Sequence, residues 1–183
     1  MKRLLALTIA LAALATAFVY LQHSQPGWWA RQWYPLRYRQ IVLGHARNYD
    51  LDPSLLAAVI YQESRFRADA RSSSGAIGLM QLMPETAQGI ADRTGGTRFR
   101  QADLYDPEIN VRYGAWYLNH LLARYHDERL ALAAYNAGQR NVDRWRSEGE
   151  GIAFAETRGY VDRVEKLKAI YRRAYPELRP GGG

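Results

Sequence analysis

Apolar and polar positions fall into two regimes along the chain. From Leu4 to Leu21 the sequence is an apolar run interrupted only by Thr8 and Thr16. From Pro35 onward apolar residues recur at helical spacing between Pro, Gly and Asp punctuation. Alternating strand runs and fixed-period repeats do not occur. At about 1.5 Å per residue the first run is roughly 27 Å long, near a hydrocarbon core of about 30 Å. Gln25-Pro26-Gly27 breaks it.

The second regime predicts a set of helices. Pro35 sits at a helix start, with Tyr38, Ile41, Val42, His45 and Tyr49 on one face. Asp52-Pro53 pairs an N-cap oxygen with proline at the first helical position, opening a helix over 53–63. Leu55, Leu56, Ala57, Ala58, Val59 and Ile60 make that helix apolar all round, hence central and buried. Residues 65–76 read as loop around Ser72-Ser73-Ser74-Gly75. Pro84 opens a helix to Asp92, stopped by Gly95-Gly96, and Asp106-Pro107 opens a long one to Tyr125. Short helices follow over 130–135 and 141–145, then a longer one over 160–174. Tyr113, Trp116, Tyr117 and Tyr125 have the spacing of core positions.

The flanks of the first run change its meaning. Lys2 and Arg3 precede it, and Trp28, Trp29, Trp33 and Tyr34 follow as an interfacial aromatic belt. Ala15-Thr16-Ala17 offers the rival reading of a cleaved signal peptide. Cleavage there would leave Phe18-Val19-Tyr20-Leu21 at a new terminus, so the flanks favour a retained anchor. Orientation stays open, because Arg31, Arg37 and Arg39 on the far side oppose Lys2 and Arg3. The domain reading is a signal anchor or signal peptide over 1–23 and an aromatic-rich linker over 24–34. A single helical domain is expected over 35–176, and 177–183 are expected to form a disordered tail.

Composition narrows the chemistry. The 183 residues suit one domain plus an extension. The absence of cysteine removes disulfide frameworks, thiolate metal sites, cysteine nucleophiles and a lipidated-cysteine anchor. The formal charge is +7, with 22 arginines scattered rather than clustered, which leaves nucleic acid, a membrane surface or an anionic polymer as partners. No run of like charges marks a nucleic-acid arm. The four histidines include no H-E-x-x-H pair, and no phosphate or dinucleotide fingerprint is present, so neither metal nor organic cofactor is expected.

One carboxylate stands out. Glu63 ends the apolar helix just before the serine-rich loop. A solvated helix-end glutamate is the commoner reading of that position alone. Buried, its acid form would be favoured near neutral pH, as a general acid requires. Two further segments sit where side chains can face a cleft: Gly78-Leu79-Met80-Gln81-Leu82-Met83-Pro84 and Ala134-Tyr135-Asn136-Ala137-Gly138. Taken singly, each also fits ordinary packing or capping.

Together with Glu63-Ser64, the loop over 72–76 and Glu156-Thr157-Arg158-Gly159-Tyr160-Val161, these motifs occur in the order seen in soluble lytic transglycosylases. The chain resembles that catalytic domain from Tyr34 to Tyr175, and its layout resembles the short, membrane-anchored members. The resemblance implies a mainly α, lysozyme-like (goose-type) domain preceded by one hydrophobic helix. It implies cleavage of the β-1,4 bond between N-acetylmuramic acid and N-acetylglucosamine in peptidoglycan, with 1,6-anhydro ends as product. It assigns Glu63 as sole acid/base. Ser72 would lie near the catalytic carboxyl, with Gln81 and Met83 lining sugar subsites. Tyr135 would face Glu63 across the cleft with Asn136 beside it, Glu156 would reach the groove, and Tyr160 would line it. Ala68 and Ser73 stand where many relatives carry proline, and Gln139-Arg140 replaces a glycine-containing pair, which leaves subsite preference open. A goose-type hydrolase and a non-catalytic wall-binding scaffold are the alternatives. The expected location is the inner membrane through Leu4 to Leu21 with the domain in the periplasm, or the periplasm if the segment is cleaved. Peptidoglycan strands are the expected partner, ahead of nucleic acid.

Overall fold

The computed structural model describes residues 1–24 and 26–179. It consists of helices α1 (Lys2–Ser24), α2 (Gly27–Trp33), α3 (Arg39–Asn48), α4 (Pro53–Ser64) and α5 (Pro84–Thr94). These are followed by α6 (Pro107–Tyr125), α7 (Glu128–Ala137), α8 (Gln139–Ser147) and α9 (Ala155–Ala174). Short 3-10 turns occupy Gln101–Tyr105 and Pro176–Leu178. Among the described residues there is no extended strand, only isolated bridges joining Arg71 to Ile77 and Ile77 to Leu82.

Helix α4 is the axle of the domain. Its start is fixed by Asp52, whose Oδ1 accepts from the Ser54 amide at 2.9 Å, with Pro53 preset for the first turn. Every residue from Leu55 to Ile60 is buried, and each large aliphatic there contributes about 2 kcal/mol by leaving water. Helix α9 packs along α4, and α7 bridges α6 and α9. Asp52 also ties α4 to α9. Burial works against its charge, but Ser54, Lys168 and Arg172 together hold its carboxyl below the ordinary value.

A second, smaller cluster (Ile77, Leu82, Ala87, Ile90, Leu104 and Tyr113) packs the 77–82 loop between α5 and α6. Tyr117 and Tyr135 pack against both clusters, and Met80 of the larger one is fully buried. Gly114 of α6 makes room for it, because a Cβ there would run into the Met80 side chain.

Several expectations are corrected. Pro35 does not start a helix; α3 begins at Arg39 after Tyr38 in the left-handed region (φ 51°). The cause is tertiary: Leu36 N–H donates to the Tyr175 hydroxyl at 3.0 Å and Tyr171 donates to the Pro35 carbonyl at 3.1 Å. The 24–34 segment is not only a linker. It contains α2, which buries Ala30 and donates from Arg31 Nε to the Ala174 carbonyl at 2.8 Å. Helix α9 starts at Ala155 rather than 160, and α7 and α8 extend beyond their predicted ends. The tail does not begin at 177, since Leu178 is fully buried. The expected disorder of Pro180 to Gly183 lies outside the described residues, as does Gln25 of the predicted helix break. Tyr113 and Tyr125 are buried as the spacing requires, whereas Trp116 and Tyr117 are half-buried.

Over Lys2–Gln22, α1 is long and apolar enough to cross a membrane, and every residue from Lys2 to Tyr20 is exposed.

Candidate active site

The site forms where α4, α7 and α9 converge. Glu63 is in the last turn of α4. Tyr160 on α9 donates its hydroxyl to Glu63 Oε1 at 2.6 Å. Burial is the larger influence on Glu63 and raises its carboxyl from 4.5 to about 7, while the Tyr160 hydrogen bond opposes the rise. Tyr135, at the end of α7, and Tyr160 are both held neutral. Burial pushes their hydroxyls well above the usual range, and the nearby Glu63 charge adds to that.

The Tyr135 hydroxyl is committed elsewhere: it donates to the Met80 carbonyl at 2.8 Å. The Met80 amide in turn donates to Asn110 Oδ1 at 2.8 Å. Asn110 is a fully buried side chain of α6 whose Nδ2 donates to the carbonyls of Ile77 (2.9 Å) and Leu104 (2.8 Å). One amide therefore pins the loop that carries Met80. Ser64 ties the same loop to α4, donating to the Leu79 carbonyl at 2.8 Å and approaching the Ile60 carbonyl at 3.1 Å. Gly78 has φ +81° and lies against Asn110 and Leu104 so closely that a Cβ has no space there.

The remaining motif residues divide into those the fold brings near this cluster and those it does not. Asn136 follows Tyr135 and is exposed; its Oδ1 accepts from Thr157 of α9 at 2.9 Å. Thr157 lies one turn before Tyr160, so Asn136 and Tyr160 are held by one helix. Glu156 is exposed in the first turn of α9. Gln81 adopts φ 48°, and its Nε2 donates to the carbonyls of Gly78 (2.8 Å) and Ala70 (3.2 Å). Its amide oxygen has no partner among the described residues. Met83 is 37% exposed beside the start of α5, unlike buried Met80. The hydroxyl contacts of Ser72 stay within its own turn, with Ser74 Oγ and the Ala76 amide both at 2.9 Å.

Sequence reasoning did not single out Asn110 or Thr157. A polar residue in the apolar stripe of a long helix is the available signal for Asn110, and it is ambiguous until the loop across from it is known.

This arrangement matches known proteins. The family model described as Transglycosylase SLT domain fits residues 40–156. The chain belongs to the SLT transglycosylase family. The soluble lytic murein transglycosylase of Salmonella typhimurium is 34% identical over 151 residues, covering 76% of this chain and 23% of that protein. The membrane-bound lytic murein transglycosylase F of Shewanella baltica is 34% identical over 148 residues, covering 76% and 28%. Among solved structures, the lytic transglycosylase Slt of Pseudomonas aeruginosa is 35% identical at TM-score 0.70, covering 80% of this chain and 26% of that one. It was solved as an inactive glutamate-to-glutamine mutant. The 70 kDa soluble lytic transglycosylase of Escherichia coli is 30% identical at TM-score 0.74, covering 83% and 27%. This SLT chain thus has the helical lysozyme-like fold of the family, and it spans about a quarter of the length of the curated relatives it matches.

Proposed function

We propose that this SLT domain is a peptidoglycan lytic transglycosylase with Glu63 as its single acid/base. The observation that carries the reading is the buried Glu63 carboxyl, held at about 7 with Tyr160 as its hydrogen-bond partner. No charged neighbour is among the resolved influences on it. Most glycosidases need a second carboxylate as base or nucleophile. A lytic transglycosylase does not, because the substrate supplies the nucleophile.

In the first step Glu63 gives its proton to the glycosidic oxygen as the bond from C1 of N-acetylmuramic acid breaks. The substrate N-acetyl oxygen stabilises the electron-poor C1. In the second step the C6 hydroxyl bonds to C1 and passes its proton to the Glu63 carboxylate. This gives the 1,6-anhydro end and restores the acid. A carboxyl near pH 7 suits both halves, being a competent donor and then a competent acceptor. Tyr160 steadies the carboxylate between the steps.

Asn136, Gln81, Met83 and Glu156 are the proposed contacts with the glycan. Ser72, whose hydroxyl closes the 72–76 turn, is a further proposed contact at the edge of the site. No metal or organic cofactor is called for by this chemistry. The membrane-length α1 and the membrane-bound relative support an inner-membrane anchor with the domain in the periplasm.

The test is digestion of intact sacculi by the purified full chain, with mass spectrometry of the fragments. Anhydro-muramic ends are expected from the native chain, and Glu63→Gln should lower their release by at least about a thousandfold. Reducing ends in their place would identify a goose-type hydrolase. Binding to sacculi without cleavage would identify a scaffold.

A further inference from the structure

An open groove of about 710 Å³ runs along the seam of α4 and α9, lined by residues that the proposed chemistry does not use. Its walls include Arg65, Arg163, Lys166 and Arg173, with Tyr34 and Tyr61 at one end, and no carboxylate lines it. None of the four cations has a salt-bridge partner among the described residues. Elsewhere on the same helix, Lys168 pairs with Glu128 and Asp52, and Arg172 with Asp52. Helix α9 is thus charge-neutralised on one side and left bare on the side that forms the groove. Bare cations sharing a concave surface repel one another, and an anion seated among them removes that cost.

The position of the groove identifies the anion. Tyr34 and Tyr61 are also walls of an adjoining cavity of about 260 Å³, which adds Trp29, Trp33 and Gln22. Gln22 is the end of the membrane-length stretch of α1. Trp29 Nε1 is buried there with no hydrogen-bond partner. Trp28 and Trp33 are 60% and 53% exposed beside it, as residues at a membrane interface are. Helix α2 is clamped to the α9 end that carries Arg173, because Gly27 lies against the Arg173 and Ala174 backbone. The groove is therefore held one short helix away from the end of α1.

We propose that this groove binds the headgroup of an anionic phospholipid, the cations taking its phosphate and the Trp29–Tyr61 cavity its glycerol region. The inference rests on the reading of α1 as a retained anchor and is independent of the glycan chemistry. It gives the domain a fixed bearing on the bilayer, which a bare tether does not.

The test uses the full chain in a mild non-ionic detergent, offered equal amounts of phosphatidylglycerol and phosphatidylcholine and read by native mass spectrometry. Phosphatidylglycerol is expected to be retained about tenfold over phosphatidylcholine, on the scale of basic-residue attraction to anionic lipid. Lys166→Glu/Arg173→Glu should abolish the preference, and Arg93→Glu/Arg98→Glu, away from the groove, should leave it intact. Equal retention by the native chain overturns the proposal, as does an unchanged preference in the groove variant. Displacement of the lipid by millimolar free glycerol phosphate also overturns it, since the site would then take a soluble anion. Failure of the native chain to enter phosphatidylcholine nanodiscs overturns the anchor reading beneath it. Cleavage of solubilised murein by the groove variant is expected at the native level, so failure of the transglycosylase reading appears separately.

Discussion

Tyr160 Oη lies 2.6 Å from Glu63 Oε1, joining residues 97 positions apart at the meeting point of α4 and α9. The bond favours the carboxylate, while burial favours the acid and outweighs it. Tyr160→Phe removes the opposing influence alone. The Glu63 carboxyl should then titrate above its value of about 7. The alkaline limb of the murein-cleavage profile should move up by as much as about one pH unit. An unmoved or lowered limb would show that Tyr160 does not tune the acid.

The same burial makes stability depend on pH. The folded chain holds the Glu63 proton to about 7, whereas an unperturbed glutamate loses it at 4.5. The stability contributed by the raised carboxyl is complete below the lower value and is lost as pH rises through the upper one. Glu63→Gln stays neutral and lacks that loss. Between about pH 4 and pH 8 the variant should gain on the native chain by on the order of 3 kcal/mol in urea unfolding. Parallel stability curves would sink the claim that Glu63 is buried as an acid.

Asn110 tests the scaffold behind Tyr135. Its removal leaves the Met80 amide and the Ile77 and Leu104 carbonyls without partners inside the core. Asn110→Ala should cost about 3 kcal/mol or more in thermal or urea unfolding. Asn110→Asp keeps the acceptor for Met80 but turns a carboxylate oxygen on the Ile77 and Leu104 carbonyls, so near neutral pH it should cost more than Asn110→Ala. An Asp variant as stable as the native chain would contradict this division.

Thr157 tests the hold on Asn136. Thr157→Val keeps the shape of a buried residue and removes its donor to Asn136 Oδ1. The expected result is a stability loss of about 1 kcal/mol and a several-fold rise in KM on soluble murein fragments with kcat little changed. In an Asn136→Ala background the same change should leave KM unaltered. Additive effects on KM would mean that Thr157 acts elsewhere.

Much of this was legible in the chain because its devices are local. Asp52-Pro53 and Asp106-Pro107 cap α4 and α6 where the sequence predicts them, and the left-handed Gly95 ends α5. Misread elements were those set by distant partners. Pro35 stays out of helix because two tyrosines from the end of the chain hold the backbone around it. Helix α2 exists in a stretch of poor local signal because Ala30 and Arg31 dock on α9.

The sequence by itself determined the apolar axle of α4, the acid at its end, the membrane-length first helix and the order of motifs. Each of those depends on residue type and spacing over a turn or two of chain. Only the tertiary structure decided that Glu63 is buried rather than solvated, because burial depends on what the rest of the chain lays over a residue. It also decided that Tyr160, not Tyr135, is the hydroxyl bonded to Glu63, that Asn110 holds the loop carrying Met80, and that Arg65 at the end of α4 shares one groove with three cations of α9. Those facts arise from contacts between helices that no local pattern encodes.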